Sequence, residues 1–105
     1  MSATSDVAEW YPQFHMHYVY ILFCSDQKLY IGYSENLKNR ITTHQSGRAR
    51  ATKHRLPVKL IYYESYANKE DAKAREVYLK SGAGHAQMKR QHQHELRRLG
   101  YSHLD

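Results

Sequence analysis

The stretch Tyr18–Tyr33, YVYILFCSDQKLYIGY, decides the architecture. Tyr18 to Cys24 (YVYILFC) is an unbroken run of β-branched, aromatic and apolar residues. Its length and composition favour a strand buried on both faces over a helix. Ser25-Asp26-Gln27-Lys28 is a polar turn, and Leu29-Tyr30-Ile31-Gly32-Tyr33 is a second strand, so the stretch reads as a β-hairpin. Cross-strand partners in an antiparallel pair have a constant residue sum, and side chains alternate faces. Tyr20 and Tyr30 share a face only when that sum is even, as with Cys24 opposite Lys28. An odd sum, such as Cys24 opposite Leu29, sends them to opposite faces unless a bulge intervenes.

Outward from the hairpin, Ser34 is a suitable N-cap for a helix, with Glu35 at the positive end of its dipole. Leu37, Ile41 and His44 fall on one face of that helix, Arg40 and His44 are four apart, and Gly47 is placed to end it. Residues 47–57 (GRARATKHRLP) form a basic loop holding Arg48, Arg50, Lys53, His54 and Arg55 without an acidic residue. Pro57 opens a third strand, Val58 to Ser65, and Asn68 caps a second helix that runs to about Lys80. Gly82 and Gly84 are expected to break the chain before a last polar helical stretch, roughly Ala86 to Leu99. The order is β-β-α-β-α-α: an α/β fold with a small three-stranded antiparallel sheet flanked by helices, because so few strands need helical cover. Residues 1–15 lack clean periodicity and read as a partly flexible arm, or one packed through Trp10 and Tyr11. Residues 91–105 read as a polar helical extension.

The 105 residues carry 16 Lys plus Arg against 10 Asp plus Glu, a formal charge of +6, with a pI near 9.5. The length allows one domain core. The single cysteine, Cys24, excludes an intrachain disulfide and a tetrathiolate zinc site. Nothing in the sequence is long and apolar enough to span a bilayer, and residues 1–15 have neither the basic start nor the apolar stretch of a secretion signal. A cytoplasmic location is expected. Basicity of this degree is the electrostatic footprint of a nucleic-acid binder, although many basic domains bind nothing anionic. Ten of the aromatic residues are tyrosines. A buried phenol needs a hydrogen-bond partner, so the core brings polar chemistry close to its centre.

Polar residues on apolar faces carry the remaining information. Ala72, Glu76 and Leu79 share a helical stripe with Ala83 just beyond it, so Glu76 interrupts a small-apolar face. A carboxylate there needs a base, such as Arg75 or Lys80, or a cation. Arg40 with His44 can be a solvated basic pair, and Tyr20 with Tyr30 can be core filling. His85, His92 and His94 gather near the C-terminus, but their spacing matches no zinc motif.

Taken in order, Tyr18-Val19-Tyr20, Tyr30-Ile31-Gly32, Leu37, Arg40, His44, Gly47, Thr52, Arg55-Leu56-Pro57, the strand LIYYE and the segment AREVYLKSGAG resemble the GIY-YIG nuclease domain. The likeness covers about residues 17–90 and is closest to small stand-alone members related to the N-terminal nuclease domain of the excision-repair protein UvrC. Departures are Tyr18 in place of the first glycine, Tyr33 directly after YIG, and Gly84-His85 where relatives often have Gly-Arg. The resemblance implies a domain over 16–90 that hydrolyses DNA phosphodiester bonds with one divalent cation, Mg2+ or Mn2+. It implies Glu76 as metal holder, Tyr20 as general base, and Tyr30 as its hydrogen-bonding assistant. It also implies Arg40 as stabiliser of phosphate charge and His44 as positioner or base for the nucleophile. A tyrosine pKa near 10 is high for a base at neutral pH. Arg40, the metal and the basic loop are the groups expected to lower it. Arg48, Arg50, Lys53 and Arg55 are expected to meet the DNA backbone. The single small domain leaves little surface for base contacts, so cleavage is expected to depend on DNA structure or to be weakly specific, as in repair or recombination. The alternative is a DNA-binding module that keeps the fold with little or no catalysis. Monomer and homodimer both remain open.

Overall fold

In the computed structural model, residues 15–102 and Leu104 are described. The N-terminal arm therefore lies, apart from His15, outside the described residues. Strand β1 spans His17–Cys24, β2 Leu29–Ser34 and β3 Val58–Tyr66. Helices are α1 (Leu37–Gln45), α2 (Lys69–Lys80), α3 (Gly82–Gln91) and α4 (Gln93–Arg98). The sheet is antiparallel in the order β2-β1-β3. The YVYILFC run is thus the central strand, which is why it is apolar at nearly every position.

Register follows the even sum. Tyr20 pairs with Gly32 and Leu22 with Tyr30. The turn closes through Cys24 N donating to the Lys28 carbonyl at 3.0 Å and Gln27 N donating to the Cys24 carbonyl at 2.9 Å. Gln27 takes the left-handed conformation (φ 62°) that lets three residues reverse the chain. Alternation then divides the core. Val19, Ile21 and Ile31 pack with Ala72 and Leu79 of α2 and Met88 of α3. Leu22, Cys24 and Val58 pack on the other side with Tyr30, Ile41 of α1, Leu56 and Leu60. Against β3 the register shifts between Ile21 and Leu22.

Three local expectations are corrected. Ser34 ends β2 and its Oγ accepts from Asn36 N. The N-cap of α1 is Asn36, whose side chain accepts from Asn39 N. The expected break falls at Ser81, whose extended backbone ends α2 and whose side chain caps α3 through Gly84 N, so Gly82 and Gly84 lie inside the next helix, which starts at Gly82 and not near Ala86. A second interruption falls at His92, so the last stretch is two helices. Ala83 is exposed and lies outside the buried stripe, which is Ala72, Glu76 and Leu79. Asn68 caps α2 as expected, accepting from Glu70 N and Asp71 N.

Candidate active site

The even register puts Tyr20 and Tyr30 on the same face of the hairpin, with ring centroids 6.2 Å apart. Gly32 sits opposite Tyr20 and leaves room for its ring. A Cβ on Gly32 would stand 2.3 Å from Tyr20 Cζ and 2.4 Å from its oxygen. The glycine is there because a phenol lies across it.

Helix α1 covers this face and brings in the next two residues. His44, in its last turn, is fully buried. Its Nε2 is 2.7 Å from the Tyr20 hydroxyl and its Nδ1 is 2.7 Å from Thr52 Oγ1. The His44 ring also lies 5.1 Å from that of Tyr30. Tyr20 and Thr52 have no solvent exposure either. Buried polar groups in such a place must bond one another. The result is a closed series, Tyr20–His44–Thr52, running from the central strand through α1 into the basic loop. Arg40, one turn earlier on α1, interacts with both the Tyr20 and the Tyr30 hydroxyls, which raises the Arg40 pKa.

Electrostatics give each group a definite state. Burial, reinforced by the Arg40 charge, pushes His44 down to about 4, so the imidazole is neutral at pH 7. Burial raises Tyr20 to about 12, against the lowering effect of Arg40. The expected influence of Arg40 is present, and desolvation outweighs it. A protonated phenol facing a neutral imidazole donates to Nε2, which leaves Nδ1–H to donate to Thr52.

Glu76 stands apart from this series. It lies on α2, whose stripe packs on the opposite side of the sheet, and is 9% exposed. Its carboxylate is paired with Lys80 at 3.0 Å and Lys73 at 3.1 Å. Burial raises its pKa, but the bonds from Lys80 and Lys73 prevail and hold it below the usual range, so it is ionised. Its charge still reaches Tyr20, adding to the upward shift there. Arg75 is not its partner: that guanidinium grips Glu64 of β3, with its NH2 nitrogen 3.0 Å from Oε2.

In the basic loop, Ala49 and Thr52 are buried and anchor the segment, while Arg48, Arg50 and Lys53 are exposed. Arg55 differs. Its Nε donates to Asp26 of the hairpin turn at 2.7 Å, and its carbonyl accepts from Ser25 N at 3.0 Å. Sequence reasoning included Thr52 only through the family likeness. No periodicity could single it out, because its partner His44 is reached by a loop and not by a regular element. A second polar cluster surrounds His15, His17, Tyr33 and Glu35, and the two histidines two residues apart are the only sequence signal for it.

Among known proteins, a UPF0213 protein of Clostridium perfringens is 50% identical over 66 residues, spanning 62% of this chain and 71% of that one. A UPF0213 protein of Pediococcus acidilactici is 48% identical over 66 residues, spanning 60% and 67%. The solution NMR structure of a UPF0213 protein from Bacillus halodurans shares 37% identity, covers 70% of this chain and 81% of that one, and has a TM-score of 0.46. The GIY-YIG catalytic domain family matches residues 16–92, a span that holds the sheet, the Tyr20–His44–Thr52 series and Glu76. The chain belongs to the GIY-YIG catalytic domain family.

Proposed function

We propose that the protein is a metal-dependent endonuclease that hydrolyses phosphodiester bonds in DNA, with structure-dependent or weak selectivity. Family membership supports nuclease-type activity and a divalent metal. The observation that carries the fuller reading is the buried Tyr20–His44–Thr52 series beside Arg40 and Tyr30. Buried titratable groups with strongly shifted pKa values mark a candidate functional site, and these lead to an arginine only part-buried.

In this reading Tyr20 takes a proton from the attacking water as its own proton passes to His44 Nε2. His44 Nε2 has a free lone pair because the imidazole is neutral at pH 7, and the burial that lowers it to about 4 sets the cost of that transfer. Thr52 fixes the imidazole so that Nε2 faces the phenol. Arg40 meets the phosphate with paired donors, and Tyr30 orients Arg40. Glu76 would hold the Mg2+ or Mn2+: it is ionised and nearly buried, and one carboxylate suffices for a cation that keeps most of its waters. When bound, the cation supplies neutralisation of charge developing on phosphate oxygens. Lys73 and Lys80 pair with that carboxylate and would give way to the cation. Arg48, Arg50 and Lys53 would meet the DNA backbone, with Arg55 held back by Asp26. The nuclease domain is taken as 16–90 with 91–105 as an extension, acting in the cytoplasm in repair or recombination, as monomer or homodimer.

A second reading, a DNA-binding module with little catalysis, is favoured by one observation: the Tyr20 phenol is raised to about 12, away from the range of a ready base. Nicking of supercoiled plasmid separates the two. Wild type is expected to nick with Mg2+ or Mn2+ and not with chelator. Glu76→Gln and Tyr20→Phe, verified as folded by circular dichroism, are expected to lose roughly 100-fold or more of the rate. DNA retention without nicking under either metal would establish the binding module instead.

A further inference from the structure

We propose that His15, His17 and Glu35 form a binding site for one transition-metal dication of the zinc class, separate from Glu76. One ligand atom of each residue lies within 4.8 Å of those of the other two. His15 Nε2 is already 2.8 Å from Glu35 Oε1.

The hairpin builds this cluster. The β1–β2 register ends with Tyr18 opposite Ser34, so His17 and Glu35 are the next residues along on the two chains. His15 precedes His17 by two residues, and the two imidazoles come together. Their rings meet edge to face with centroids 5.2 Å apart. Tyr33 closes the group from β2: its hydroxyl is 2.7 Å from His17 Nδ1 and donates to Glu35 Oε2 at 3.3 Å. A hydroxyl bonded to both a ligand ring and a ligand carboxylate is the kind of outer support that orients metal ligands. The bond from His15 and that from Tyr33 hold the Glu35 carboxyl below its usual range. Nearby charges of both signs surround the group, since Glu70 and Glu76 act on the Tyr33 phenol. Lys69 Nζ is 3.9 Å from Glu35 Oε2, and Lys73 lies over the Tyr33 ring at 4.6 Å.

Donor chemistry selects the metal. Two imidazoles and one carboxylate suit Zn2+ and its neighbours, whereas Mg2+ prefers oxygen alone. Donors on one tetrahedral Zn2+ stand about 3.4 Å apart. The 2.8 Å pair needs only to exchange its shared proton for the ion, and the His17 donor, within 4.8 Å of the other two, must draw closer to join it. The fourth position falls to water. The His15 and Glu35 side chains are 64% and 45% exposed, so the ion has open access. Once bound, it would tie the start of β1 to the end of β2, next to the strands that carry Tyr20 and Gly32.

The test is zinc titration of the apo-protein by calorimetry, with thermal unfolding as a second readout. Wild type is expected to bind one Zn2+ and unfold several degrees higher with it, and not to respond to Mg2+ in this way. His15→Ala and Glu35→Gln, both at exposed positions that leave the fold intact, are expected to lose at least 10-fold in Zn2+ affinity. His94→Ala is expected to bind as wild type does. The proposal is overturned if wild type binds no Zn2+ at one equivalent, or if His15→Ala and Glu35→Gln bind it undiminished.

Discussion

A histidine kept neutral inside a protein ties folding to pH. His44 ionises at about 4 when folded, because of burial and the Arg40 charge, against 6.5 when exposed. Between those values the unfolded chain takes up the proton and the folded one does not, so acidification favours unfolding. Stability from this group is complete above pH 6.5 and lost progressively as pH falls to 4. The loss amounts to about 3 kcal/mol. His92, also lowered by burial, acts in the same direction. The measurement is therefore a difference: urea midpoints from pH 7 to 4 for wild type and His44→Gln, with the variant expected to show the shallower fall. Equal slopes would show that the imidazole is not kept neutral. What the sequence made legible at this scale was the spacing. Arg40 and His44 four apart on a helix were readable from periodicity, whereas the parity that puts the two hairpin tyrosines on one face was left open and is supplied by the register of the structure. The direction of the Tyr20 shift was not, because it depends on how completely α1 and the basic loop seal the phenol, and spacing alone does not give depth.

Elements meet where side chains are smallest. α2 and α3 come together at Gly84, where an added Cβ would lie 1.9 Å from the Tyr78 carbonyl oxygen and 2.9 Å from Leu79 Cα. Both obstacles are backbone, so the helices must separate to admit a methyl group. Gly84→Ala is expected to destabilise by about 3 kcal/mol, at the upper end for overpacking, and to lower the Tm accordingly. Gly82, in the same helix, has nothing within 4 Å of an added Cβ. Gly82→Ala is expected to be neutral or to stabilise by up to about 1 kcal/mol, since alanine is the better helix former. Comparable losses from both would mean that helix propensity, not the crossing, governs this region. The glycines were read from sequence as breakers; the chain does break one residue earlier, at Ser81, and both glycines are helical. A local rule has no access to a neighbouring helix, and here the neighbour decides. The strands, the Asn68 cap and the order of elements up to Lys80 follow from local pattern and were readable.

Over the whole molecule, the +6 charge acts through its distribution. The loop 47–57 contains no acid, yet folding brings Asp26 across from the hairpin turn onto Arg55. That pairing joins residues 29 positions apart and could not be seen in the loop's own composition. It sorts the loop cations into two kinds. Arg48, Arg50 and Lys53 project from a segment pinned by buried Ala49 and Thr52, whereas Arg55 fastens the segment to the sheet. A cation that meets a phosphate releases a counterion, so each such residue contributes about 0.9 to the slope of log affinity against log salt on duplex DNA. Arg50→Ala is accordingly expected to reduce that slope by about one while leaving the Tm unchanged. Arg55→Ala is expected to lower the Tm and to leave the slope nearly as in wild type. Fluorescence anisotropy on a labelled duplex across a salt series, beside thermal melts of the same samples, reads both quantities. If Arg55→Ala instead flattened the slope as much as Arg50→Ala, the Asp26 pair would have to open on DNA, and the anchor would be part of the binding face.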